Sequence, residues 1–295
     1  MENLKVGRNI VFVSFLVMLM SSWRLPAPDV IFVPDKSEVD LLTSTTKGIK
    51  PLYFVKILVN DHEGLFVIDV GASNTCITNS FSNKIGLEGD PLSANVNGAK
   101  AQISLVTIDT FKIGDAEFSD LYAVKSDLSH IIKGMKFQFD GILGCDILST
   151  FAFDLDFLRK KMTIYDHSII KDGMNGEDML VERRRYYIPC TYNGHTAKFL
   201  IDTGANLTHI TATDAKRCSL PIVAKGKSKK LTYKGERKYN TSKSATIDSF
   251  TCAQHEVKNV RVRIGEKNIL GLNVLSNYIL QFDPFTERMQ LIAYE

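Results

Sequence analysis

Two short segments of this 295-residue chain place an aspartate at the mouth of a glycine turn. Val67-Ile68-Asp69-Val70-Gly71-Ala72-Ser73 and Leu200-Ile201-Asp202-Thr203-Gly204-Ala205-Asn206 share the pattern apolar-apolar-Asp-x-Gly-Ala. The apolar pair reads as the end of a strand, and Gly71 and Gly204 let the backbone bend sharply beside the carboxylate. A carboxyl group held in this way is equipped for acid–base chemistry. Downstream of each Asp comes Ile-Leu-Gly, at Ile142-Leu143-Gly144 and at Ile269-Leu270-Gly271. A glycine there lets a second strand run close beside the Asp turn. The bland alternative, two aspartates that only cap turns, has the duplicated context against it. The five cysteines (Cys76, Cys145, Cys190, Cys218, Cys252) are scattered with no C-x-x-C spacing, which argues against structural zinc and against a redox motif. They read as buried thiols or, in an oxidising compartment, as one or two disulfides whose pairing the sequence does not assign.

The elements that must position these aspartates repeat. Asn60 to Thr78 lies over Asn193 to Thr211 without a gap, Asp109 to Val124 over Asp248 to Arg263, and Ile142 to Ile164 over Ile269 to Leu291. Three ordered blocks at offsets of 133, 139 and 127 residues mark a duplication. Tyr53 to Val59 and Leu65 to Ile68 read as strands around the connection Asn60 to Gly64. Tyr187 to Tyr192 and Thr196 to Ile201 flank Asn193-Gly194, a strong hairpin signal. Gln102 to Ile108 and Val257 to Ile264 are further strands. Helix is expected only in short stretches: Asp146 to Phe151, Asn273 to Tyr278, and near Asn79 to Ile85 and Thr213 to Cys218.

The twinned Asp-x-Gly-Ala turns, each with its later Ile-Leu-Gly, resemble the retropepsin and pepsin clan of aspartic peptidases, and most of all its two-lobed single-chain retropepsin-like members. The resemblance covers about Tyr53 to Glu295 and implies a mostly-β, bilobal acid-protease fold: two duplicated β-barrel lobes facing each other across a cleft. It implies Asp69 and Asp202 as the catalytic pair, one holding a proton while the other activates a water against the peptide bond. Carboxylates so close cannot readily both ionise, a property for which the aspartic-protease pair is well known. Gly71, Gly204, Gly144, Gly271, Thr203 and Val70 would support the turns. The family has Thr or Ser where this chain has Val70, so half of a hydrogen-bond network between the turns is missing. Ala72 and Ala205 stand where some pepsin-like members carry a hydroxyl. The resemblance also implies a mobile hairpin over each lobe, with Asn97 and Gly98 at one tip and Tyr233, Lys234 and Gly235 at the other. No cofactor and no metal are implied, and the partner is a peptide or protein substrate. The alternative is a catalytically silent peptide-binding relative. His209 and Cys76 occupy matching positions after the two turns and have no triad partner, so both read as packing positions.

Composition fits this picture. With 44% hydrophobic and 23% charged residues the chain reads as globular, and a net charge of +3 without a basic module excludes nucleic acid as the partner. Lys225 to Lys243 carries eight basic residues, a flap preferring acidic substrates or a solvated hairpin whose charges discourage edge pairing. At the N-terminus, Lys5 and Arg8 precede the apolar run Ile10 to Met20, the pattern of an export signal and too short for a spanning helix. The expected division is an export signal or anchor at 1–23, a linker at 24–49, an N-terminal lobe at 50–166, a connector at 167–183 running into Arg183-Arg184-Arg185, and a C-terminal lobe at 184–295. A monomer, exported to the periplasm or secreted, and either free of the membrane or anchored to it through residues 10–20, is the expectation.

Overall fold

A computed structural model describes residues 25–44, 50–96, 99–171, 173–231 and 237–295. The chain is mostly β, and its two halves share one strand order. In the first half, β3 (Tyr53–Val59) and β4 (His62–Ile68) form a hairpin, and β4 runs parallel to β9 (Gly141–Leu143). Beyond β9 lie β5 (Cys76–Thr78), β8 (Ala116–Ser126), β7 (Ala99–Ile113) and β6 (Asp90–Val96), and β7 pairs back onto β3. The second half has the same order: β14 (Tyr186–Tyr192), β15 (His195–Ile201), β20 (Ile269–Leu270), β16 (Thr208–Thr211), β19 (His255–Gly265), β18 (Arg237–Cys252) and β17 (Val223–Leu231). There β18 pairs back onto β14. In each half the strand path therefore returns on itself.

The hairpins follow from turn chemistry. Asn193 and Gly194 both have positive φ, at 46° and 73°, the geometry that a two-residue primed turn requires. Asn60 and Asp61 do the same at 45° and 64°, so that connection has two residues and His62 to Gly64 belong to β4. The core lies on the inner faces. On β3 the residues Tyr53, Val55, Ile57 and Val59 are buried while Lys56 and Leu58 point outward.

The halves are joined by a shared sheet. The hairpin of β10 (Ala152–Asp156) and β11 (Lys161–Tyr165) meets its duplicate, β21 (Tyr278–Asp283) and β22 (Arg288–Ala293), through the antiparallel pair β10–β21. Phe153 faces Phe282 with rings stacked 5.0 Å apart, and Leu155 faces Leu280. These pairs exchange under the duplication, so an approximate two-fold axis passes between them.

Two of the expected irregular stretches are ordered differently. Within 24–49, β1 (Asp29–Phe32) pairs with β8, and β2 (Ser37–Thr43) bridges β11 and β3. Exposure explains the weak signal: every residue of β1 is exposed, and only Ser37 and Leu41 of β2 are buried. The connector at 167–183 is anchored, because the Asp283 carboxylate accepts hydrogen bonds from Ser168 Oγ and the amides of Ile169 and Ile170 at 2.6, 2.9 and 3.0 Å. It also holds β12 (Glu177–Asp178) on β22 and β13 (Leu180–Val181) on β14.

The helices are short. α1 (Asn79–Lys84), α3 (Cys145–Leu148), α4 (Ala212–Arg217) and α5 (Leu272–Leu275) lie where they are expected, and α2 (Ser129–Met135) is an addition. Among the described residues no helix is long and apolar enough to cross a membrane. The apolar run 10–20 lies outside them.

Candidate active site

Each Asp turn is built by the same contacts. The amide of Asp69 donates to Leu143 O at 3.1 Å, and the amide of Asp202 donates to Leu270 O at 3.1 Å, so each turn is tied to the parallel strand beside it. Ala72 N then donates to Asp69 O and Ala205 N to Asp202 O, closing the turns. Gly144 and Gly271 provide the closeness: a Cβ on either would lie 2.5 Å from backbone carbon, of Asn74 in one half and of Leu207 in the other. A side chain at either position would force the turn away from the strand.

The two turns meet. A Cβ on Gly71 would lie 2.7 Å from Asp202 Cγ, and one on Gly204 would lie 2.5 Å from Asp69 Oδ2. Each carboxyl thus packs on the glycine of the opposite turn, and both are fully buried. Asp69 Oδ1 accepts the Gly71 amide at 2.9 Å. Burial drives the Asp69 carboxyl upward from the usual carboxylate range, and its backbone amide contacts and Asp202 hold it partly back. Asp202 is driven well above that range, first by burial and then by the charge of Asp69. Two carboxyls buried this close are both raised, titrate as a pair and share one proton.

Thr203 ties the turns together. Its hydroxyl donates to Ile68 O at 2.7 Å and accepts the amide of Val70 at 3.0 Å. Val70, its counterpart in the first turn, is fully buried and offers no such group. Cys145, the residue after Gly144, donates its thiol to Val70 O at 3.1 Å and its amide to Ala72 O at 2.8 Å. A second reciprocal pair lies further along. Ser73 Oγ donates to Arg183 O at 3.2 Å, and Asn206 Nδ2 donates to Lys50 O. Both the donors and the acceptors are 133 residues apart, so each turn rests on the entry segment of the other half.

Behind each turn lies a polar clamp that the repeat motifs do not single out. In the first half, the buried Asp146 accepts Thr75 N on Oδ2 and Thr75 Oγ1 on Oδ1, both at 2.7 Å, and Thr75 Oγ1 accepts the Gly144 amide at 3.1 Å. In the second half, Asn273 Oδ1 accepts Thr208 N and Oγ1 at 2.6 and 2.9 Å, and Thr208 Oγ1 accepts the Gly271 amide at 3.2 Å. Burial pushes Asp146 up to about 6 against the pull of the Thr75 hydrogen bonds and of Arg184. A signal for the clamp does exist in the third repeat block, where Asp146 lies over Asn273.

The five flap residues, Asn97, Gly98, Tyr233, Lys234 and Gly235, lie outside the described residues. The strands leading to them are paired up to Val96 with Ala99 and Leu231 with Arg237, so both hairpins exist as far as they can be followed. His209 and Cys76 are buried. Burial, with Arg263 nearby, drives His209 down to about 3, and burial drives Cys76 up to about 12.

Against models of known families, residues 55–147 match an aspartyl protease family and residues 188–277 match a putative aspartyl protease of gag polyproteins. Together the matches cover more than half of the chain, one on each half, and each contains an Asp turn with its later glycine. No curated protein matches the chain.

Proposed function

We infer that this chain, which belongs to the retropepsin-like aspartic peptidases and is an aspartic-type hydrolase of peptide bonds, works through Asp69 and Asp202 as one shared-proton pair. The observation that carries the assignment is the crossed packing of each carboxyl on the opposite glycine, which holds two buried acids within reach of one water. Asp69, whose Oδ1 already accepts the Gly71 amide, is the charged partner, and Asp202 keeps the proton.

In the reaction, Asp69 takes a proton from water as its oxygen attacks the scissile carbonyl carbon, while Asp202 gives its proton to the carbonyl oxygen. The tetrahedral diol then collapses. Its C–N bond breaks as the proton on Asp69 passes to the leaving nitrogen, and Asp202 recovers its own from the hydroxyl. Gly71, Gly204, Gly144 and Gly271 keep the geometry, Thr203 ties the turns, and Val70 fills the matching place without a donor.

The same reading makes the halves, 50–166 and 184–295, two β-barrel lobes that face a cleft with the Asp turns on its floor. The β6–β7 and β17–β18 strand pairs extend over it as flaps. Because both halves of the pair are on one chain, the protein works as a monomer. Residues 1–23 export it or anchor it; a reporter fused to residues 1–50 that stayed in soluble cytoplasm would reject this. The test of the pair is direct. Asp69→Asn and Asp202→Asn each abolish cleavage of a peptide library while the protein still melts cooperatively, and full activity in either variant would refute the assignment.

A further inference from the structure

Cys190 and Cys252 have no part in this chemistry, yet the fold sets them face to face. They are register partners in the antiparallel pair β14–β18, flanked by Thr191 opposite Thr251 and Tyr192 opposite Phe250. Side chains of directly opposed residues project to the same face, with Cβ atoms roughly 4.5–5.5 Å apart, close to the spacing of about 3.5–4.5 Å that a disulfide takes. Both residues are 1% exposed, and the two thiols are in hydrogen-bonding contact. Burial first, and then that contact, drives the Cys190 thiol well above its ordinary range. Among the other three cysteines, Cys76 is opposite Ile142 and Val124, Cys145 is bonded to Val70 O, and Cys218 has its thiol toward Tyr192 O.

We propose that Cys190 and Cys252 are a disulfide site, closed while the chain folds in the presence of a disulfide-bearing oxidant of the glutathione class. One cysteine thiolate attacks the oxidant's S–S bond, forming a mixed disulfide and releasing one reduced thiol. The other cysteine then attacks the mixed disulfide, forming the Cys190–Cys252 bond and releasing the second thiol. The protein loses two hydrogens and two electrons, and the oxidant gains them. Timing follows from burial. At 1% exposure and with a raised pKa, Cys190 is a poor nucleophile in the folded chain, so the bond forms before β18 closes onto β14. Once formed it is shielded from reductants by the same packing. The bond staples the closing contact of the second half, at the end of β18 where the chain turns into β19. It also ties together positions 62 residues apart in the chain.

The experiment is to refold the reduced full-length protein in a buffer of oxidised and reduced glutathione, alkylate the remaining thiols, and map the peptides by mass spectrometry. A linked peptide carrying Cys190 and Cys252 is expected, with Cys76, Cys145 and Cys218 alkylated. Alkylation of both Cys190 and Cys252, or linkage of either to another cysteine, would overturn the proposal. A second reading uses thermal melting. Wild type refolded with oxidised glutathione should melt roughly 5–10 °C above wild type refolded with reductant. The Cys252→Ala variant should show no such difference. Equal melting of the two wild-type samples would mean that the bond does not fit the native strands, and would also overturn it.

Discussion

The hydroxyl of Thr203 accepts the amide proton of Val70 at 3.0 Å, and nothing on Val70 returns the contact. The same hydroxyl donates to Ile68 O at 2.7 Å, so one side chain carries both of these hydrogen bonds between the Asp turns, and Val70 in the first turn carries neither. Replacing it by valine leaves a buried amide and a buried carbonyl unpaired. Thr203→Val should therefore cost about 2–4 kcal/mol, visible as a lower midpoint in urea unfolding, with cleavage falling alongside. The reverse substitution tests the missing half. By the duplication, a hydroxyl at position 70 faces Ile201 O as Thr203 faces Ile68 O, so Val70→Thr should add about 1 kcal/mol and raise the melting temperature by roughly 2–4 °C. A neutral or harmful Val70→Thr would make valine a packing choice in a rearranged floor.

Crossed packing of glycine on carboxyl makes a different demand. In Gly204→Ala the new methyl would lie 2.5 Å from Asp69 Oδ2, and in Gly71→Ala 2.7 Å from Asp202 Cγ. Either methyl must push a carboxyl out of the pair. Because small displacements of reacting groups are costly, kcat should drop by roughly 100-fold or more in each variant. Retention of wild-type kcat in both would mean that the carboxyl positions do not limit the reaction.

Asp146 and Asn273 hold equivalent places, one as an acid and one as an amide, which makes the charge dispensable to the geometry. Burial raises Asp146 from 3.8 to about 6, so between these values the folded chain binds a proton that the unfolded chain has released. Its contribution is therefore fullest below pH about 4 and is lost as pH rises through about 6. Asp146→Asn should remove that loss, stabilising the protein on the order of 1–3 kcal/mol at pH 8 and little at pH 4. The amide nitrogen is expected to find Tyr122 O, the counterpart of the Arg261 carbonyl to which Asn273 Nδ2 donates at 2.9 Å. Urea unfolding at the two pH values measures the difference; equal effects at both would show that the carboxyl is not strained by its burial.

The contrast between Asp69 and Asp146 shows what a sequence exposes. Asp69 is legible because its turn repeats at Asp202, with glycine fixed in both copies. Asp146 is hidden because its counterpart is asparagine, and only the shared acceptor oxygen, bonded to Thr75 in one half and Thr208 in the other, makes the two equivalent. The Asn193-Gly194 hairpin reads directly, since positive φ selects those residues, whereas the Asn60-Asp61 turn reads three residues too long because His62 to Gly64 carry no strand pattern. β1 and β2 do not read, because their side chains are mostly outward and leave no apolar alternation. The seven residues of α2 carry Gly134 and two isoleucines, and Leu128 at its N-cap offers no side-chain acceptor although Asp127 Oδ1 takes the Ser129 amide, so tertiary packing more than local preference forms it.

Acidity of the pair gives the last prediction. Donors that stabilise an ionised carboxylate lower its pKa, and here they are few. Ala72 and Ala205 have no hydroxyl, Val70 has none, and the donors that hold Asp202 down are backbone amides, those of Gly204 and Ala205. Burial is left to dominate. It raises Asp69, which must be charged to take the proton from water, and raises Asp202, which must stay protonated to give one up. Activity should therefore rise as pH climbs through the raised pKa of Asp69 and fall only when Asp202 ionises, giving a bell centred at weakly acidic to neutral pH. The profile of kcat/KM against pH measures both limbs. Val70→Thr, by ordering the turn beneath Asp69, should shift the acid limb downward. An optimum at strongly acidic pH in wild type would mean that the pair is far better solvated or hydrogen-bonded during turnover than in the closed floor, and the acidity argument would fail with it.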